Sequence, residues 1–299
     1  MKVCISKRFL IIWFLILLLI PTITFCQGTV EQRLGRIEAD IDTLLSLHRT
    51  QLNKSDTYEI IKDTLNLLYG IASSRGTILD KGYFVINHND NWKIPYWVAY
   101  RLTSSDLEGN AKRTDDFRHD PELPVGSRAE LEDYRNSGYD RGHNAPAADF
   151  NRSRDAMSTT FLLSNMSPQT PALNRNIWEK LEEQVRALVT EEGKAWIVTG
   201  NLFLSTDSQF VSPVEYVGAN KVAVPTHCFK AILSVGENGG FSMYAFILPN
   251  QRDNIPGKPA DYMITVDRLE GITGYDFFPE LNDSIENKLE SKMPSTWPR

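Results

Sequence analysis

Cysteine is nearly absent from this 299-residue chain, which has only Cys4, Cys26 and Cys228. The first two fall in an N-terminal stretch expected to be removed, which leaves Cys228 alone and excludes an intrachain disulfide. Its neighbour His227 invites a metal reading. Adjacent residues of a strand point to opposite faces, however, so Cys228 is expected to be a small buried thiol. A long apolar run is also lacking: the N-terminal one, Phe9 to Ile20, is shorter than the roughly 20 residues a spanning helix needs. There is no internal repeat and no low-complexity tract. Positive charge is not in excess either, with 32 Lys and Arg against 38 Asp and Glu, a formal net charge of −6. The overall balance therefore does not announce a nucleic-acid partner, although an acidic protein can still hold a basic cleft.

What is present begins with a basic start. Lys2, Lys7 and Arg8 precede the apolar run, and Pro21 and small or polar residues follow it. That order describes a secretory signal peptide over residues 1–26, cut after Cys26. The chain is then expected to be exported, to a periplasmic, extracellular or cell-surface location. Membrane attachment would require that the segment be retained or that Cys26 carry a lipid, and Phe25 just before it argues against the lipid.

Val30, Leu34, Ile37, Ile41, Leu44 and His48 then step by four and three, a seam of about three heptads. Two readings stay open: an amphipathic helix lying on the main domain, or a short coiled coil making a homo-oligomer through residues 29–52. A second helical pattern runs through "DTYEIIKDTLNLLYGIASS", with Gly70 and Gly76 as stops. Residues 27–75 are read as a helical appendage and 76–299 as the main domain. There the texture changes. "GYFVINHN", "KIPYWVAYRLT", "AWIVTG", "KVAVPTHCFKAILSV" and "FSMYAFILPN" are rich in β-branched and aromatic residues and read as strands. "NRNIWEKLEEQVRALVTEEG" carries one apolar stripe and is the clearest helix. Strands and helices do not strictly alternate, so the expected class is α+β, with a largely antiparallel central sheet flanked by helices.

Phosphodiester hydrolysis needs a base near neutral pH, and histidine, with an unperturbed pKa of about 6.5, suits it. A divalent cation can stabilise charge on the phosphate and assist the leaving oxygen, and magnesium needs only one or two protein oxygens. "YDRGHNAPAADF" places His143 after Asp140, Arg141 and Gly142, where glycine permits a turn near a ligand. "SNMSPQTPALNRNIW" brings Asn165, Gln169 and Asn174 to the mouth of the helix. On an ideal helix Glu182 lies about 80° and Arg186 about 120° round from Asn174, at the edge of the apolar stripe. Bland roles exist for each: Asn174 as a helix cap, Glu182 and Arg186 as a surface i, i+4 pair.

The combination of "DRGH", "SNMSPQ" and "LNRNIWEKLE" closely resembles the DNA/RNA non-specific endonucleases, the endonuclease G-like ββα-metal nucleases. The likeness runs over roughly residues 80 to 280 and leaves the appendage outside. It implies a metal-dependent nuclease of DNA and RNA whose site is a hairpin-like segment plus a helix. It further implies His143 as general base and Asn174 as the one protein ligand of Mg2+, with Mn2+ as a substitute. Glu182 would hold metal-bound water, Arg141 and Arg186 would contact the phosphate, Asn165 would position the site, and Asp140 would order the motif. Cleavage would leave 5′-phosphate ends. The rivals are a catalytically inert binding or assembly module and a phosphodiesterase acting on small nucleotides.

Overall fold

Eleven strands appear in the computed structural model, which describes residues 65–205, 211–236 and 238–298. They are β1 (Thr77–Asp80), β2 (Val85–Asn89), β3 (Ile94–Thr103), β4 (Asp140–His143), β5 (Met166–Gln169) and β6 (Lys194–Leu202). After them come β7 (Tyr216–Val217), β8 (Val222–Ala223), β9 (His227–Val235), β10 (Phe241–Pro249) and β11 (Met263–Ile264). The expected signal at 1–26 and the seam at 29–52 lie outside the described residues.

Seven strands form one sheet in the order β1-β2-β3-β6-β9-β10-β11, and every neighbouring pair is antiparallel. The period-two geometry of a strand sends alternate residues to two separate cores. One face presents Ile86, Val98, Tyr100, Ile197, Ile232 and Phe246 to Leu181, Val185, Leu188 and Val189 of a long helix. The other presents Val85, Trp97, Ala99, Val198, Phe229, Ala231 and Ala245 to Val266, Leu269 and Phe277. Because both faces are covered, the strands read as near-continuous apolar runs rather than clean alternations, which is why they stood out in the sequence.

The helices that flank the sheet are α1 (Leu131–Tyr134), α2 (Arg154–Thr159), α3 (Glu179–Glu192), α4 (Val266–Thr273) and α5 (Asp283–Glu290). The long helix starts earlier than α3, with a π-helical segment, Leu173–Trp178. Its entry is set by Thr170, whose Oγ1 accepts from Leu173 N (3.2 Å), with Pro171 next in the chain, the residue type favoured at the first helical position. It ends at Gly193, φ 102°.

The domain begins before the boundary drawn at residue 75. Leu67 and Ala72 are buried in the second core. Trp196 Nε1 donates to Leu65 O (2.7 Å), Trp97 Nε1 to Ser73 O (3.0 Å), and Arg101 N to Asn66 Oδ1 (3.1 Å). Residues 65–75 therefore belong with the sheet and not with an appendage. Among them only Leu65–Leu67 form a helical turn, of the 3-10 type, before Gly70 at φ 89°. Leu67→Ala is expected to cost about 2–5 kcal/mol of stability, as for a buried core leucine, measured by urea unfolding. A change below about 0.5 kcal/mol, typical of surface positions, would return this segment to the status of an appendage.

Candidate active site

β4 and β5 make a separate two-stranded antiparallel ribbon, with Asp140 opposite Gln169 and His143 opposite Met166. The chain leaves β5 directly into the π-helical segment that bears Asn174. Asp140 joins the two pieces. Its Oδ2 accepts from Asn174 Nδ2 (3.0 Å) and from Arg175 Nε (2.8 Å), and its Oδ1 accepts from Arg175 Nη2. Burial raises the Asp140 pKa, but the bonds from Arg175 and Asn174 and the nearby cationic charges outweigh it and hold the carboxyl below its ordinary value. Asp140 is thus an anion at neutral pH. With its amide nitrogen engaged, Asn174 is left with a neutral oxygen to offer. Asn174 does not cap the helix: it lies inside the π-helical segment, and its backbone N donates to Thr170 O (2.9 Å).

Gly142 plays a different part from the one expected. It sits in the regular β4 ladder, and a methyl group there would lie 2.2 Å from the side chain of Gln169. The missing side chain makes room for a buried glutamine, not for a ligand. Gln169 Nε2 in turn reaches Sγ of Cys228 (3.5 Å), which is buried and free, its thiol pushed up to about 12 by burial.

His143 stands between two aromatic rings, 5.0 Å from Phe161 and 5.8 Å from Phe117 by centroid. Arg113 lies over Phe161 (4.8 Å) and Arg141 over Phe117 (4.0 Å), both at cation–π distance. The imidazole Nε2 is covered and has no hydrogen-bond partner. Desolvation, then the charges of Arg113 and Arg141, lower the His143 pKa to about 3. The ring is therefore neutral across the physiological range. The residues after it are tied down by Asn165, which is wholly buried. Asn165 Oδ1 accepts from Ala145 N (2.9 Å), and its Nδ2 donates to Ala145 O (2.9 Å) and Thr160 O (2.9 Å). Asn165 thus ties the loop after His143 to Thr160.

Glu182 and Arg186 do not pair with each other as a surface i, i+4 couple. Arg186 Nη1 donates to Asp149 Oδ1 (3.0 Å), and Tyr100 OH donates to Asp149 Oδ2 (2.7 Å). Beside them Lys230, fully buried in β9, donates to Thr199 Oγ1 (2.6 Å) and lies 5.0 Å over the Trp178 ring. Burial first, with Asp149 adding to it and Lys230 and Arg186 opposing, lifts Glu182 to about 7. Burial lowers Lys230, which the charges of Glu182 and Asp149 oppose. The ideal 100° per residue does not hold through the π-helical turns, which close i→i+5 and wind less per residue. Such turns frequently mark functional sites.

Among the described residues no hydrogen bond or ion pair joins His143 to Asn174 or Glu182. The four-residue strand β4 carries His143 at one end and Asp140, the anchor of Asn174, at the other, about 10 Å of extended chain apart. Arg113, Arg175, Asp149, Tyr100 and Lys230 were missed in the sequence. Lys230 left a signal there, a lysine inside the apolar run of "HCFKAIL". Arg113 left none, since it lies 30 residues from His143 in a polar stretch.

Known proteins share this arrangement of chain. The family model for DNA/RNA non-specific endonucleases matches residues 65–284. A nuclease of Nostoc sp. is 37% identical over 226 residues, 72% of this chain and 78% of that protein. Human mitochondrial endonuclease G is 35% identical over 202 residues, 66% of this chain and 68% of that one. In a crystal structure of an EndoG/EndoGI complex, one chain superposes with a TM-score of 0.68 at 30% identity, covering 74% of this chain and 92% of its own.

The Gly142–Gln169 contact carries a prediction of its own. Gly142→Ala is expected to destabilise by about 1–3 kcal/mol, as overpacking does. Adding Gln169→Ala should recover part of that loss in chemical denaturation. Additive losses in the double variant would mean that the two residues do not compete for the same space.

Proposed function

This chain belongs to the DNA/RNA non-specific endonucleases and is a nuclease, and from that premise we propose how its residues cut. Water is the nucleophile, His143 takes its proton, and the phosphorus–O3′ bond breaks as the departing oxygen takes a proton from a second water, giving a 5′-phosphate and a free 3′-hydroxyl on DNA and RNA alike. The observation that carries this reading is the Asp140–Asn174 hydrogen bond at one end of the strand that ends in a neutral His143.

The donor set fits a hydrated Mg2+ with Mn2+ as substitute. Asn174 offers one hard, neutral oxygen, its orientation set by Asp140, and magnesium keeps most of its own waters. Bound there, the cation supplies Lewis acidity toward the phosphate and the departing oxygen. Glu182, whose carboxyl burial lifts to about 7, is read as accepting hydrogen bonds from waters around that oxygen. Arg141, exposed over Phe117, contacts the phosphate. Arg186 is half-buried and engaged with Asp149, so it contributes fixed positive charge. Nucleic acid is the partner. Export is supported by the N-terminal basic and apolar stretch; several of the relatives are mitochondrial, so the compartment is read from that stretch and not from the family.

His143→Ala is expected to lower kcat/KM by about 10²–10⁴ with circular dichroism unchanged; a full rate would remove the base assignment. The depressed His143 pKa gives the sign of the pH profile. The free enzyme keeps its base unprotonated as pH falls through 6.5, so the acid limb of kcat/KM should lie below that value. Arg113→Gln removes a neighbouring positive charge and should move the limb upward. A limb above 6.5 in the wild type, or one moved down by Arg113→Gln, would contradict the assignment.

The chemistry of the ends is the second test. Labelled RNA and DNA digested with magnesium should both yield 5′-phosphate and 3′-hydroxyl termini, and closed circular plasmid should be nicked. A 2′,3′-cyclic phosphate on the RNA fragments would show attack by the ribose hydroxyl and not by water.

A further inference from the structure

Across the sheet from the β4–β5 ribbon, α4 and α5 gather five carboxylates. α4 supplies Asp267 and Glu270, the loop after it Asp276, and α5 Glu286 and Glu290. One oxygen each from Asp267, Glu270 and Glu290 lie within 4.8 Å of one another, and the same holds for Asp276, Glu286 and Glu290. Glu290 is common to both groups and is only 7% exposed. Its Oε1 is buried and has no hydrogen-bond partner, and Glu286 Oε1 is in the same state. Phe277 N donates to Glu270 Oε1 (2.7 Å). Among the described residues no Lys, Arg or His forms an ion pair with any of the five. Burial and the neighbouring carboxylates raise Glu270 to about 7 and Glu290 to about 8.

A buried carboxylate without a partner is costly, and four further carboxyl groups around it add repulsion. The packing does not relax that repulsion by splaying the helices apart, because Val266, Leu269, Phe277 and Leu281 are buried in the second core with Ile285 and Leu289 against them. The geometry suits an ion. Calcium takes six to eight oxygens at about 2.3–2.6 Å, so ligands on opposite sides of it stand about 4.6–5.2 Å apart, which matches the oxygens within each of the two groups that meet at Glu290, gathered within 4.8 Å. Carboxylates that can bind through one or both oxygens meet its flexible coordination. Magnesium demands a tighter octahedron and keeps its waters, and no His or Cys is present to favour a softer metal.

We propose that these five residues are a calcium-binding site that clamps α5 to α4, on the opposite face of the sheet from Asn174 and separate from it. The ion would replace mutual repulsion between the two helices with a shared bond, and its effect would be on stability.

The test is thermal unfolding of the full chain in metal-stripped buffer, with and without millimolar calcium chloride, beside calorimetric titration with calcium. Calcium should raise the melting temperature, since free ion at a hundred times its dissociation constant shifts the folding equilibrium about a hundredfold. Glu290→Gln should abolish that rise and lower the binding stoichiometry by one. Above about pH 8, where Glu290 is ionised, it should also melt higher than the wild type when metal-free, because one repelling charge is gone. Asn174→Ala should keep the calcium response, which separates this site from the one proposed for catalysis. Should Glu290→Gln fail to fold, the Asp276→Asn, Glu286→Gln double variant, at less buried positions, reads the same loss. No calcium response in the wild type, or an undiminished response in these variants, would overturn the site. An equal response to magnesium at the same concentration would overturn the choice of calcium.

Discussion

One carboxylate, that of Asp140, joins the two parts of the chain that have to meet. It takes the amide of Asn174 and the guanidinium of Arg175 at once, and so locks strand β4 to the π-helical segment. Arg175 is largely exposed, so in stability the pair contributes little. Its value is positional. An asparagine amide is free to turn about its last bond until one end is engaged, and Asp140 engages the nitrogen end. The oxygen is then presented in one direction, which suits the hydrated cation proposed for it.

A second layer of charge supports that geometry from below. Asp149, Glu182, Arg186 and Lys230 share a buried patch with Tyr100 between α3 and the sheet. Such a group offers little net stability, since desolvation consumes most of the attraction. Deleting any one member leaves the others uncompensated, however. The patch therefore ties the helix carrying Asn174 and Glu182 to the central strands β3 and β9, and it does so through bonds that tolerate few alternatives. On the far face of the sheet the balance is not struck: among the described residues the five carboxylates of α4, α5 and their loop have no positive partner, which is why an ion is inferred there and not near Asp149.

His143 illustrates a different economy. It is held by rings and not by hydrogen bonds, with a covered Nε2 and two guanidinium groups near enough to disfavour its protonation. Those same arginines are positioned by the rings that hold the histidine. A phosphate arriving between them would offset their charge and raise the affinity of the imidazole for a proton just where one has to be taken up.

Much of this was legible in the sequence, for physical reasons that differ by residue. Period-two and period-3.6 patterns report which side of an element is buried, so the long strands, the helix at 174–192 and the antiparallel α+β class could be read locally. His143, Asp140, Asn165, Asn174, Glu182 and Arg186 came from motif chemistry and resemblance, and the structure puts Asp140 against Asn174 and Asn165 against the loop after His143. What depends on distant chain was not legible. The π-helical turns around Asn174 arise from how the helix entry docks, and no local propensity marks them. Gly142 looked like a turn residue because only the paired strand shows Gln169 lying over it. Residues 65–75 looked like an appendage because their burial comes from Trp97 and Trp196, far along the chain. Arg113 and Lys230 reach the site through tertiary contacts alone. The sequence by itself determined which side chains are available and which faces turn inward, because those follow from covalent order and local periodicity. The tertiary structure alone decided which charges share a dielectric, and with it the protonation of His143, Glu182 and Glu290, because burial and Coulomb energy depend on distance in space.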